Sequence, residues 1–123
     1  MLMLNKQVSV IMMKKDNNGK YLSKLNKDAK KILTAAFGGV TISTGSGTWL
    51  DSGVLFEDKN YIFHCNYADK LTDKQKAALI EVIKMEFLRG DQKAVSIMLA
   101  SSLAILDRGD LKQLESEFQE IRA

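Results

Sequence analysis

The hydrophobic positions of this chain follow two periods, and the places where one gives way to the other mark its elements. Val8, Val10 and Met12 alternate with Ser9, Ile11 and Met13, which predicts a strand. Both of its faces are fairly apolar, as in the middle of a sheet. After Asp16-Asn17-Asn18-Gly19 the period lengthens. Leu25, Ala29, Ile32, Leu33, Ala36 and Phe37 fall on one face of a helix from Ser23 to Phe37, with Ser23 or Asn26 as its N-cap. Gly38 and Gly39 stop that helix, because glycine takes the left-handed C-cap conformation without steric cost.

Period two returns at once in Val40, Ile42 and Thr44, alternating with Thr41 and Ser43. The run continues through Gly45-Ser46-Gly47-Thr48-Trp49, where the glycines predict a bulge, with backbone N–H groups facing a phosphate as the functional alternative. Beyond Asp51-Ser52-Gly53, the stretches Val54 to Phe56 and Tyr61 to Cys65 are β-rich. The interruption Glu57-Asp58-Lys59-Asn60 reads as a bulge in one long strand rather than a hairpin, since it lacks the glycine of a two-residue turn.

Thr72 and Gln75 form a capping box for a second helix that ends near Gly90, with Leu79, Ile80, Val82, Ile83 and Phe87 buried. Ala94 to Leu99 is the next strand, and its extent toward Leu106 is left open by Ser101-Ser102. Asp110 caps a terminal helix in which Leu111, Leu114, Phe118 and Ile121 share a face. The order is strand, helix, strand, strand, helix, strand, helix. That is an α+β domain over residues 1–123: an antiparallel β-sheet in ferredoxin-like, split βαβ order with two helices on one face, plus an extra C-terminal helix. The terminal helix and the apolar residues Met98, Leu99, Leu103, Ile105 and Leu106 exceed what one small domain needs, which predicts a homo-oligomer.

Composition narrows the function. A net charge of +3 mildly favours anionic ligands, but no aromatic interleaving or RNP-like motif accompanies it, so a DNA or RNA duplex is not the expected partner. The first helix carries Lys24, Lys27, Lys30 and Lys31, read as a solvated face. No apolar run approaches the roughly 20 residues of a membrane helix, and the single cysteine excludes an intrachain disulfide.

Catalytic chemistry has few candidates. His64 is the only histidine, and its neighbour Cys65 must point to the opposite face of a strand, so the two cannot pair. His64 is expected to be structural or superficial, Cys65 to be core, and neither metal nor cofactor is implied. Trp49 and Tyr61 read as core or interface. With three arginines against fifteen lysines, Arg89 and Arg108 stand out in Arg89-Gly90-Asp91-Gln92 and Asp107-Arg108-Gly109-Asp110, either as ligand groups or as helix-end charges paired with Asp91 and Asp107.

The layout VSVIMMKK, NNGKYLSKLNKDAKKILTAAFGGVTISTGSGTW, GVLFEDKNYIFHCNYADKLTDKQKAALIEVIKMEF and QKAVSIML resembles, over nearly the whole chain, the first-described family of viral Thoeris anti-defence sponges. The resemblance implies a phage or prophage protein in the cytoplasm of an infected or lysogenic bacterium. It implies an oligomer without catalysis that sequesters a cyclic ADP-ribose isomer made by TIR-domain immunity, some relatives also holding cyclic oligonucleotides. Carried onto this chain, Arg108 would meet the pyrophosphate, with Arg89 the next arginine. Gln92 or Asp91 would be the polar contact, and Tyr67 or Phe87 the ring on adenine. A second nucleotide site would fall on Lys24, Gly38 and Gly39. Two other classes remain beside it: an enzyme that degrades a cyclic nucleotide signal, for which only His64 could obviously serve, and an oligomeric interaction module without a nucleotide ligand.

Overall fold

In a computed structural model, which describes residues 1–99 and 102–113, a single five-stranded antiparallel sheet carries two helices on one face. The elements are β1 (Lys6–Met13), α1 (Ser23–Phe37), β2 (Thr41–Asp51), β3 (Val54–Tyr67), α2 (Asp73–Leu88), β4 (Val95–Leu99) and β5 (Ser102–Leu106). The strand order β2-β3-β1-β4 is that of the ferredoxin-like arrangement, and β5 extends it at the edge beyond β4. The stretch after Ala94 therefore folds back on itself as two strands, with Val95 paired to Leu106 and Leu99 to Ser102.

The core lies between sheet and helices. Val8, Val10 and Met12 of β1, Phe63 and Cys65 of β3 and Val95 and Ile97 of β4 face Leu25, Ala29 and Leu33 of α1 and Leu79, Val82, Ile83 and Phe87 of α2. Gly38 ends α1 at φ 80° and donates its N–H to the Thr34 carbonyl. Both bonds of the Thr72–Gln75 capping box are present. The N-cap of α1 differs from expectation: it is Leu22, without a side-chain bond, while the Asn26 amide inside the first turn reaches back to the Leu22 and Met13 carbonyls. Helical backbone resumes at residues 110–113, where Leu111 packs on the core; Leu114, Phe118 and Ile121 lie outside the described residues.

Neither expected bulge forms. Pairing of β2 with β3 runs in unbroken register from Thr41↔His64 to Asp51↔Val54, so residues 57–60 and the Gly45-Ser46-Gly47 run are regular strand. The connection is a two-residue turn, Ser52 at φ 52° and Gly53 at φ 80°, the pair of positive φ values that suits the twist of a hairpin. Since β1 ends opposite Asn60, the part of this hairpin beyond that residue projects as a two-stranded arm.

Candidate functional site

Among the described residues one face of the sheet carries no helix, and this helix-free face is built by the strand residues that alternate with the core. Register places Gln7, Ser9, Ile11 and Met13 of β1 beside Asn60, Ile62, His64 and Asn66 of β3, with Thr41, Ser43, Gly45, Gly47 and Trp49 of β2 on one flank. Ser96 and Met98 of β4 and Leu103 and Ile105 of β5 complete the other flank. Along its centre, Ser9 Oγ lies 2.9 Å from His64 Nδ1, and Ser43 Oγ lies 2.9 Å from His64 Nε2. Both imidazole nitrogens are thus occupied, while Cys65 is buried on the opposite face. Burial pushes the Cys65 thiol up to about 12, which leaves it inert.

Gly45 and Gly47 present no side chain, and opposite them sit Asn60 and Asp58. A Cβ on Gly45 would lie 2.9 Å from Asn60 Oδ1, so glycine there is what lets the buried Asn60 amide lie across the strands. That Oδ1 has no hydrogen-bond partner. At the outer end Trp49 and Phe56, directly opposite in the ladder, stack with centroids 4.5 Å apart and planes inclined by 18°. The indole is held by its Nε1–H, which donates to Asp58 Oδ2 at 2.8 Å.

A second polar group gathers at the end of the sheet where β1 stops. Arg108 Nη2 donates to the Phe87 carbonyl at 2.8 Å and lies 3.6 Å from the Asp91 carboxylate. Asn17 donates to the Asp91 carbonyl at 2.8 Å, and buried Gln92 donates to the Gly90 carbonyl. The structure therefore brings Arg108, Asp91, Gln92 and the Phe87 backbone together, with Arg108 on the C-terminal turn of α2, where a cation is favoured. Arg89 points away to Asp28 at 2.8 Å, holding that carboxyl below its usual range. The Phe87 ring is buried in the core, and Tyr67 is buried opposite Lys6 at the start of β1, so neither presents a face to a ligand. Lys24 and the pair Gly38, Gly39 stand at opposite ends of α1, roughly 20 Å apart at 1.5 Å per residue, and do not form one site.

Sequence reasoning missed Ser9, Ser43, Asn60 and Glu86. Glu86 is fully buried, and its Oε1 accepts the Met13 N–H at 2.8 Å. Burial raises its carboxyl to about 8, the one hydrogen bond opposing the shift only in part. Among the described residues no three His, Cys, Asp or Glu side chains gather as metal ligands, and no helix is long and apolar enough to cross a membrane.

No family model matches the chain, and no curated protein does. Two solved structures share its fold. One is a phage SAM lyase in complex with S-methyl-5′-thioadenosine, 13% identical, with a TM-score of 0.59 over 87% of this chain and 93% of that one. The other is a phage SAM lyase in the apo state, also 13% identical, with a TM-score of 0.55 over 87% of this chain and 94% of that one. At such identity the likeness is one of fold. It nevertheless corrects one expectation, since the reading of the chain as a protein without catalysis does not stand against neighbours named as lyases; the likeness is to phage proteins and does not extend to the sponge family.

Proposed function

We propose that this protein binds an adenosine-containing sulfonium of the S-adenosylmethionine class on the helix-free face of its sheet and breaks one of its carbon–sulfur bonds. The observation that carries the reading is the fold shared, over most of both chains, with a lyase solved with S-methyl-5′-thioadenosine.

The chemistry suits a site poor in acid–base groups. Release of S-methyl-5′-thioadenosine from S-adenosylmethionine requires only that the substrate's own carboxylate attack the γ-carbon of its methionyl arm. The carbon–sulfur bond breaks, its electron pair returns to sulfur, and the four-carbon piece closes to a lactone; charge and atoms balance with no proton transferred and no co-reactant. Opposite charges merge in this step, so holding the folded substrate away from water accelerates it. The step asks for no free acid or base, and the one histidine of this face has both ring nitrogens engaged by serines.

In an infected bacterium, loss of such a molecule would withdraw a methyl donor from host enzymes, an anti-defence action. The cyclic ADP-ribose implied by the sequence resemblance shares the adenosine half of this ligand and is the competing ligand class, there held without cleavage. Incubation of the purified protein with S-adenosylmethionine, followed by mass spectrometry, should show S-methyl-5′-thioadenosine and the lactone. Unchanged S-adenosylmethionine at stoichiometric enzyme would end the lyase reading. Tight calorimetric binding of cyclic ADP-ribose alone would move the function to that signal.

A further inference from the structure

The geometry points to Trp49, Phe56, Asp58 and Asp51 as a recognition site for an organic cation without N–H donors, a sulfonium or quaternary ammonium group. The proposal rests on the reading above only in naming the sulfonium as that of an adenosyl ligand.

Charge on the helix-free face carries the argument. The chain has 18 Lys and Arg, yet register puts none of them on the strand residues of this face. The two charged side chains there are acidic, Asp51 and Asp58, and they bracket the ring pair along the ladder: Asp51↔Val54, then Trp49↔Phe56, then Gly47↔Asp58. Glu57 and Lys59 alternate onto the other face and pair with each other at 3.3 Å, so they do not neutralise Asp58. In a protein of net charge +3, the charged strand residues of this face are thus both acidic and both flank the ring pair.

The rings and the carboxylate act on the same charge. Trp49 is 49% and Phe56 41% exposed, so π surface is available beside the stack. Aromatic faces attract cations through the ring quadrupole, the mode by which quaternary ammonium ligands are held. The Trp49 N–H already occupies Asp58 Oδ2, which orients the carboxylate and fixes the indole. Gly47 keeps the space open, since a Cβ there would meet only Asn60 Nδ2, at 3.9 Å. Lysine or arginine ligands would want several hydrogen-bond acceptors in a fixed array; a sulfonium wants none, only negative potential and polarizable surface. A diphosphate is repelled by the same two carboxylates.

Trp49 is the only tryptophan, so its emission reports this site directly. The full chain and an Asp58→Asn variant, which keeps an acceptor for the indole, are titrated with three probes. These are S-methylmethionine, a sulfonium without adenosine; S-adenosylmethionine, read in the first seconds after mixing; and the neutral thioether S-methyl-5′-thioadenosine. Both sulfoniums should change the Trp49 emission, and Asp58→Asn should weaken them about tenfold while shifting the thioether less than twofold. S-adenosylmethionine seen to bind by calorimetry with Trp49 silent and Asp58→Asn unaffected would overturn this site and leave the adenosyl reading standing. S-methylmethionine binding at Trp49 with no binding of S-adenosylmethionine would support the site and refute that reading. Silence of Trp49 toward both sulfoniums would overturn the proposal.

Discussion

Glu86 takes the place of a missing strand beside Met13. β4 pairs with β1 only as far as Ile11, and beyond it the Met13 N–H is accepted by Glu86 Oε1 at 2.8 Å while the Met13 carbonyl accepts from Asn26 Nδ2 at 3.0 Å. Two helices are thereby tied to the frayed end of the central strand. Glu86 Oε2 and Asn26 Oδ1 are both buried without partners, an arrangement that favours a proton on the glutamate.

A folded-state pKa of about 8 against an ordinary 4.5 means that the native protein binds this proton more tightly than the unfolded chain. The contribution of Glu86 to stability is therefore full below about pH 4.5 and is lost as pH rises toward about 8, by at most roughly 5 kcal/mol. Urea midpoints should fall between pH 5 and pH 8 in the wild type and stay level in Glu86→Gln. A wild-type midpoint that is constant over this range would show the carboxylate to be ionised throughout.

Gly45 and Gly47 should respond differently to the same methyl group. Gly45→Ala sets a Cβ 2.9 Å from Asn60 Oδ1 and 3.4 Å from Ile62 Cδ1, an overpacking expected to cost about 1–3 kcal/mol. Gly47→Ala meets nothing closer than 3.9 Å and should be within about 0.5 kcal/mol of wild type. A double-mutant cycle with Asn60→Ser should recover most of the Gly45→Ala loss; additive effects would dissociate the clash from Asn60.

His64→Ala strips both Ser9 and Ser43 of a partner, and Ser9 is buried. The expected loss is about 1–3 kcal/mol of stability. An internal displacement moves no proton, so S-adenosylmethionine turnover per folded molecule should survive. Abolished turnover in a variant with a normal melt would make the imidazole a participant.

Arg108→Ala separates two roles for one guanidinium. Engaged by the Phe87 carbonyl and Asp91, Arg108 should contribute about 0.5–1.5 kcal/mol at the end of α2, visible as a lower melting temperature with ligand affinity unchanged. An unchanged melt with affinity reduced thirtyfold or more would return Arg108 to the ligand site.

Self-association is expected through the β5 end of the sheet, where Leu103 and Ile105 are 57% and 65% exposed on the helix-free face. Light scattering at micromolar concentration should report an oligomer that Leu103→Lys with Ile105→Lys dissociates. A monomeric wild type would refute this.

The fold was legible where periodicity and caps speak locally. Val8, Val10 and Met12, the Thr72 capping box and Gly38 sit as their sequence context requires. The bulge at Gly45-Ser46-Gly47 was misread because glycine in a strand has two explanations, a kink or a neighbour's side chain crossing overhead, and only the pairing with Asn60 selects the second. The short polar break before Leu103 hid a strand reversal, since both paired strands are apolar and the β-rich composition runs on from one to the other. The site was legible least. Ser9, Ser43 and His64 are 55 and 21 positions apart, and nothing in their spacing announces that a sheet will align them.

The uneven reach of the strand pairings sets an order of assembly. β2 and β3 close around a two-residue turn, so their hairpin can zip within roughly microseconds from contacts near in sequence. β1 finds its partners only across loops that run from Met13 to Asn60 and from Ile11 to Ser96. Insertion of β1 between its two partners is therefore expected to be the slow step, because it carries the largest loop-closure entropy. Truncations at Val10 should retard refolding, whereas truncations on the arm should chiefly hasten unfolding.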